Sequence, residues 1–115
     1  MPSFEQGDVV RVPFPYTDRE TRQRRPALVV SDGPVGEDGA LLWVVMITSA
    51  ANRSWTGDVP VPDQAGLPAP SVVRPMKIAT IEARHADPIG KLPAEVREAV
   101  MRCVHTILGE PYRAQ

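Results

Sequence analysis

The stretch Arg24-Arg25-Pro26-Ala27-Leu28-Val29-Val30-Ser31 decides the fold of this chain, and the other elements are arranged around it. Its residues from Pro26 to Val30 are all apolar and end in a β-branched pair, which predicts a buried strand. Because Pro26 cannot donate a backbone hydrogen bond and biases the preceding residue away from helix, we expect Arg25 at the mouth of that strand. A guanidinium held there can offer a planar fork of donors to a phosphate.

The segment before this strand is locally basic. Residues 17–26 contain four arginines, at positions 19, 22, 24 and 25, against the two acids Asp18 and Glu20. The net charge of the whole chain is only −1, so an anionic partner such as nucleic acid would have to be attracted locally. Two interpretations stay open from these residues alone: a phosphate-binding surface, or a solvated loop whose arginines keep the protein soluble.

Composition predicts one globular domain over residues 1–115, because 115 residues with 43% hydrophobic content can bury a single core. Cys103 is the only cysteine, which excludes an internal disulfide and does not imply an oxidising compartment. The first residues lack the basic region and apolar run of a signal peptide, and no apolar run is long enough to cross a membrane. We therefore expect a cytoplasmic protein that does not associate with membranes.

Hydrophobic periodicity predicts five or six short antiparallel strands followed by one helix. The predicted strands cover residues 9–14, 26–30, 41–47, the neighbourhood of Val59 and Val61, 71–75 and 77–83, and the helix covers 92–108. The unbroken apolar run over 41–47 indicates a central strand buried on both faces, and Pro13 indicates an edge position or a bulge. The predicted fold class is therefore mainly β with a C-terminal α-helix, a small barrel-like domain.

Within the predicted helix, apolar residues recur at helical spacing, and Gly109 and Pro111 end it. The members of this apolar stripe are Val96, Val100, Val104, Ile107 and Leu108. Met101 and Cys103 lie near the stripe, where we expect them to pack against the core.

Several short motifs then occur in the order and spacing of one protein family. They are Gly7-Asp8-Val9-Val10, Arg25-Pro26-Ala27-Leu28-Val29-Val30-Ser31, Ile47-Thr48-Ser49, Ser71-Val72-Val73-Arg74 and Ile78-Ala79-Thr80-Ile81. From about Gly7 to Leu108 the chain resembles the MazF/PemK-type toxins of bacterial type II toxin–antitoxin systems. The resemblance implies an SH3-like barrel of the MazF/PemK/CcdB type that forms a homodimer. It also implies cleavage of single-stranded RNA without a metal, and inhibition by a cognate antitoxin protein.

The resemblance also implies roles for individual residues. Arg25 matches the family's catalytic arginine, and Thr48 matches the threonine or serine that contacts the scissile phosphate. Arg74 matches an arginine that lies in the active site of the PemK-like branch, but the aspartate which that branch places two residues later is here Met76. Glu20 stands five positions before Arg25, where some members have an acidic residue.

The chemistry of such a cleavage requires the 2′-hydroxyl to attack its own phosphate, leaving a 2′,3′-cyclic phosphate and a 5′-hydroxyl. It needs a base for the hydroxyl, donors for the charged phosphorane and an acid for the leaving oxygen. Arg25 and Arg74 can stabilise charge, and Thr48 can donate a hydrogen bond. The identity of the base stays open, because an arginine is a poor base, and Glu20 or Asp18 would serve better.

The RNA is expected to contact residues of the basic loop and of the loop after Thr48. These residues are Arg19, Arg22, Arg24, Ser49, Asn52, Arg53, Trp55 and Lys77. Trp55 either stacks on a base or anchors its loop to the barrel, and the sequence does not decide between the two. His85, His105 and the lone cysteine lack the spacing of metal ligands, so no metal or other cofactor is expected.

A second class of function is a non-catalytic RNA-binding or gyrase-inhibiting protein on the same barrel. The gyrase-type relatives rely on an aromatic tail directly after the last helix, and the segment from Gly109 to Gln115 departs from that pattern. Together with the presence of Arg25, Thr48 and Arg74, this favours the nuclease.

Overall fold

Six antiparallel strands and one C-terminal helix make up the part of the chain that the computed structural model describes, residues 3–13, 24–62, 67 and 69–112. The elements are β1 (Asp8–Pro13), β2 (Arg24–Val29), β3 (Leu41–Ser49), β4 (Val59–Pro60), β5 (Ser71–Glu82), β6 (Asp87–Lys91) and α1 (Ala94–Leu108). The strands form one sheet, a half-barrel, in the order β4-β5-β3-β2-β1-β6. The predicted fold class, a mainly β SH3-like barrel with a C-terminal helix, is confirmed.

Strand β3 lies inside the sheet between β2 and β5, and both of its faces are covered from Val44 to Ile47. Val44 and Met46 belong to one core cluster, while Val45 and Ile47 belong to a second cluster on the opposite face. This alternation follows from the two-residue period of a strand. We call the side of Val44 and Met46 the inner face, and the other side the helix face. The helix face is closed by three buried residues of α1: Val100, Met101 and Val104.

Strand β5 is continuous, although the sequence predicts two strands there. Its pairing with β3 passes from Met46↔Arg74 to Val45↔Ile78, so that residues 75–77 bulge out of the ladder. A proline with no N–H to donate is the local reason that the sequence looks interrupted at this point. The bulge places Arg74 directly before an irregular segment of the strand.

Strand β6 is not indicated by the sequence pattern, because Asp87-Pro88-Ile89-Gly90-Lys91 carries few strand-forming residues. It forms by pairing with β1, which is therefore an interior strand. Pro13 itself lies beyond the part of β1 that β6 pairs and has a strand, β2, on one side only, so the predicted edge position holds for this residue but not for β1 as a whole. The register shift between β1 and β6 lies elsewhere, between Val9 and Val10.

Helix α1 follows Pro93 and ends at Gly109, whose φ of +83° closes the C-terminal cap. The predicted stripe is only partly buried, because Ile107 and Leu108 are 51% and 64% exposed. They lie in the last turn, past the residues of α1 that cover the sheet. Among the described residues, no helix has the length and apolar character needed to span a membrane.

Candidate active site

The strand register brings three predicted catalytic residues to one face at one end of the sheet. Arg25 pairs with Val12 and Arg74 pairs with Met46, and both of these partners belong to the inner-face core cluster. Thr48 is two residues from Met46, so it faces the same side. Strands β2 and β3 pair antiparallel at Ala27↔Met46. Extending this register by two residues on each strand puts Arg25 opposite Thr48. The three residues therefore share a site at which β2, β3 and β5 lie side by side.

Thr48 is held in place by the loop that follows it. The Asn52 side-chain amide donates a hydrogen bond of 2.7 Å to Thr48 Oγ1. A hydroxyl has two acceptor lone pairs and one hydrogen, so this contact leaves the Thr48 hydrogen able to donate. Thr48 is buried at the end of β3, where a rigid ladder fixes its backbone. The arrangement suits a neutral donor for a phosphate oxygen.

Arg74 forms a bidentate ion pair with Asp58, which lies just before β4. Arg74 Nε donates to Asp58 Oδ1 at 3.0 Å, and Arg74 Nη2 donates to Asp58 Oδ2 at 2.9 Å. Nη2 also donates to the Arg53 carbonyl oxygen at 2.9 Å. Both side chains are almost fully buried, with 7% of Arg74 and 8% of Asp58 exposed. The guanidinium therefore joins β5 to the loop between β3 and β4.

Residues 55–58, which we call the Trp55 turn, are closed by two hydrogen bonds. Asp58 N donates to Trp55 O at 3.1 Å, and Trp55 N donates to Asp58 Oδ2 at 2.9 Å. Gly57 is the third residue of the turn and has a φ of +93°, a conformation that favours glycine. The turn thus depends on the same carboxylate that pairs with Arg74.

The Trp55 ring lies against two cations. Arg74 Cζ lies 4.4 Å from the ring centroid and Lys77 Nζ lies 5.5 Å from it, both within the range of a cation–π interaction. The ring is still 40% exposed. Trp55 therefore anchors its loop and also presents aromatic surface, so the two interpretations left open by the sequence are compatible.

The ion pair shifts the pKa values of both of its partners. Hydrogen bonds from Arg74 hold the pKa of the Asp58 carboxyl below its usual value, against the opposite effect of burial, and the Trp55 amide lowers it further. The Asp58 carboxylate in turn raises the pKa of the Arg74 guanidinium, despite burial. Both groups therefore stay charged at neutral pH.

Arg24 does not join this site. Its Nη2 lies 2.6 Å from Asp87 Oδ2 and also donates to the carbonyl oxygens of Arg11 and His85. Because neighbouring residues of a strand point to opposite faces, Arg24 and Arg25 cannot present one continuous patch. The structure assigns Arg24 to the contact between β2 and β6, and its predicted RNA contact stays a prediction.

Of the other predicted site residues, some lie near the site and some lie outside the part of the chain that the structure describes. Ser49, Arg53 and Lys77 lie near the site, where Ser49 Oγ accepts a hydrogen bond from Ala51 N. Glu20, Arg19 and Arg22 lie outside the described residues, as does Asp18. The roles predicted for these four residues therefore stay predictions.

Asp58 is the site residue that the sequence analysis does not identify. It lies in a polar loop with no family motif around it, and its partner Arg74 is 16 residues further along the chain. The signal that indicates it is three-dimensional, because a buried arginine requires a carboxylate. Within the described part of the chain, no group of three or more His, Cys, Asp or Glu side chains is placed to hold a metal ion.

Comparison with known proteins agrees with this fold. A MazE–MazF complex (Form-II) from Deinococcus radiodurans has a TM-score of 0.77 and 25% identity, over 96% of this chain and 99% of that chain. An endoribonuclease in complex with its cognate antitoxin, from a mycobacterial species, has a TM-score of 0.75 and 20% identity, over 98% and 100%. The Mycobacterium tuberculosis toxin MazF-mt6 has a TM-score of 0.64 and 21% identity, over 90% and 98%. The last two likenesses show the fold alone.

A comparison with curated proteins gives no match. The family model described as a PemK-like, MazF-like toxin of the type II toxin–antitoxin system matches residues 5–108, which is most of the chain. The matched range includes every strand of the half-barrel and the C-terminal helix. The chain therefore belongs to the PemK-like, MazF-like toxins of type II toxin–antitoxin systems.

Proposed function

We propose that this protein is a sequence-specific endoribonuclease that cleaves single-stranded RNA by attack of the 2′-hydroxyl on the adjacent phosphate. The observation that carries the proposal is the strand register that puts Arg25 and Thr48 on one face at the same level of β2 and β3. Membership of a toxin family that contains endoribonucleases supports it. An RNA substrate also places its action in the cytoplasm.

The reaction needs charge stabilisation on the phosphate, and Arg25 and Thr48 supply it. The 2′-hydroxyl gives its proton to the base and its oxygen forms a bond to phosphorus, while the bond to the 5′-oxygen breaks. The leaving 5′-oxygen takes up a proton from an acid or from water, so the products are a 2′,3′-cyclic phosphate and a 5′-hydroxyl. Arg25 offers charged donors to the non-bridging oxygens, and the Thr48 hydroxyl, oriented by Asn52, adds a neutral donor. Because the 2′-hydroxyl is the nucleophile and Arg25 carries positive charge, the proposed reaction requires no metal.

The proposed base for the 2′-hydroxyl is Glu20, with Asp18 or an arginine as the other candidates. A carboxylate accepts a proton far more readily than a guanidinium, which is already protonated in proteins. RNA bases would stack on the exposed part of Trp55, and Arg53 and Lys77 would contact the phosphate backbone. Arg19 and Arg22 are proposed to extend this basic surface.

The proposed protein partners are a cognate antitoxin and a second copy of the chain. Antitoxins are present in the MazE–MazF complex and in the mycobacterial endoribonuclease complex that this chain resembles in fold. We expect an acidic, partly apolar antitoxin segment that folds on binding and blocks RNA access. Exposed apolar side chains on β3, β5 and α1 support a dimer: Trp43, Ile78, Ile107 and Leu108.

A cleavage assay on a defined single-stranded RNA in excess EDTA tests the proposal. The wild-type protein should cut, and Arg25→Ala should lower the rate at saturating RNA by about a hundredfold or more, the usual effect of losing a charged transition-state donor. Thr48→Ala should lower it by about tenfold to a hundredfold, because a neutral donor stabilises less. Relaxation of supercoiled DNA by gyrase, run in parallel, separates the nuclease from a gyrase inhibitor. Folded Arg25→Ala protein that cuts at the wild-type rate would refute the site.

A further inference from the structure

We propose that Asp58 and Arg74 form a buried latch that holds the Trp55 turn in its RNA-binding conformation, with Asp58 as a positioning residue. The proposal rests on the proposed function, because it names how that site presents aromatic surface to RNA. It gives Arg74 a role that acts through Asp58 and Trp55, in place of direct contact with the reacting phosphate.

Several contacts of the loop from residue 53 to 58 end on one guanidinium, that of Arg74. Arg74 donates to the carboxylate of Asp58 and to the backbone carbonyl of Arg53, and its guanidinium lies 4.4 Å from the Trp55 ring centroid. These contacts reach the start, the middle and the end of the loop from residue 53 to 58. The loop itself is exposed from residue 53 to 57, and apart from the approach of Gly57 to Cys103 on α1 it has little packing to hold it. Arg74 is thus the main attachment of the Trp55 turn to the sheet.

One oxygen of Asp58 takes part both in the turn and in the ion pair with Arg74. Asp58 Oδ2 accepts from Arg74 Nη2 and from Trp55 N, both at 2.9 Å. Loss of the carboxylate would therefore weaken the turn and its attachment together. Loss of a residue that only closed the turn would weaken the turn but not its attachment to Arg74.

Arg74 has few donors available for a phosphate. A bidentate contact with a phosphate uses either Nε and Nη2 or Nη1 and Nη2, and both forks include Nη2. In this structure Nη2 already donates to Asp58 and to Arg53 O, and only 7% of the side chain is exposed. Bidentate binding of the reacting phosphate by Arg74 would require the buried pair to break, and breaking such a pair is costly.

The latch can be tested without RNA by the accessibility of Trp55. The chain has two tryptophans, so Trp43→Phe leaves Trp55 as the only one. Acrylamide quenching of that fluorescence should rise by about twofold in Asp58→Asn, because a released turn exposes a ring that is now 40% exposed. Glu82→Gln is the matched control. Glu82 lies on the same strand as Arg74, and the substitution removes a carboxylate from an exposed ion pair, the one with Arg84. Quenching that is equal with and without Asp58→Asn in the Trp43→Phe background would overturn the latch.

Steady-state cleavage then separates positioning from transition-state stabilisation. Asp58→Asn should raise the KM for RNA by about tenfold, the scale of one lost base–aromatic stack, and should leave kcat within about threefold. Arg74→Gln should do the same, and the Asp58→Asn, Arg74→Gln double variant should be no worse than either single variant. Glu82→Gln should match the wild type in both constants. A loss of about a hundredfold in kcat at saturating RNA for Arg74→Gln alone would overturn the proposal.

The double variant also keeps the test decisive if a single variant fails to fold. Asp58→Asn leaves a buried guanidinium without its carboxylate, whereas the double variant buries no unpaired charge. If only the double variant folds, raised Trp55 quenching with kcat preserved supports the latch, and kcat lost with unchanged quenching overturns it. A wild-type protein that cuts no RNA would refute the proposed function, while the quenching comparison would still decide the latch.

Discussion

Gly57 is the position at which one added methyl group should disturb the Trp55 turn most. Its φ is +93°, and a Cβ added there would lie 3.2 Å from Cys103 Sγ on α1. The backbone conformation alone should cost a non-glycine residue roughly 1–2 kcal/mol. The tight contact with sulfur should add about 1 kcal/mol, because Cys103 must move by a few tenths of an ångström. Gly57→Ala should therefore lower the free energy of unfolding by about 2–3 kcal/mol.

Urea unfolding followed by circular dichroism separates the two costs with a matched control. Gly109 has a similar φ of +83° but nothing within 4 Å of an added Cβ, so Gly109→Ala should show only the conformational cost. Cys103→Ala removes the sulfur that an added Cβ would crowd. In the Cys103→Ala background, Gly57→Ala should therefore lower the free energy of unfolding by no more than Gly109→Ala does. A Gly57→Ala cost equal to that of Gly109→Ala, or one that Cys103→Ala does not reduce, would refute the packing of this turn against α1.

Three further predictions concern the base, the ion pair and the assembly. Glu20→Gln should reduce kcat by about a hundredfold or more if Glu20 is the base, and an unchanged kcat would return that role to Asp18 or an arginine. The lowered pKa of Asp58 means that its contribution to stability is present above the ordinary carboxyl pKa of about 4 and is lost as pH falls through the lowered value. The stability difference between wild type and Asp58→Asn should therefore shrink from about pH 6 to about pH 3, and a constant difference would contradict the pair. Light scattering at micromolar concentration should give twice the chain mass of 12.6 kDa, and a monomer alone would contradict the dimer.

Much of the fold is predictable because burial leaves a strong pattern in the chain. The run over residues 41–47 has no polar interruption, and β3 is covered on both faces from Val44 to Ile47 as that run predicts, although Trp43 is exposed. Strand β6 could not be found in this way, because it forms by pairing with β1 and contributes little to the core. At the bulge of residues 75–77 the sequence predicts one strand too many. A local break in the pattern does not end a strand whose partner strand continues.

The sequence predicts the site residues whose own side chains suit phosphate chemistry, and it does not predict those whose role depends on a partner distant in the chain. Arg25, Thr48 and Arg74 fall on one face because strand register converts their sequence positions into neighbours. The adjacent arginines 24 and 25 look like one basic patch in the sequence, yet the alternation of a strand sends Arg24 toward Asp87. Asp58 gives no local signal, because its significance comes from a guanidinium on another strand.

The central claim is that Arg25 and Thr48 promote attack by the RNA's own 2′-hydroxyl. The most direct test uses an RNA oligonucleotide with one mapped cut site and a copy with a single 2′-deoxyribose on the 5′ side of the cut. The all-ribose strand should be cut in EDTA to products with a 2′,3′-cyclic phosphate and a 5′-hydroxyl. The deoxy copy should bind with similar affinity and survive, because it lacks the nucleophile. Cleavage of the deoxy copy at the same bond, or a product with a 5′-phosphate, would contradict the account.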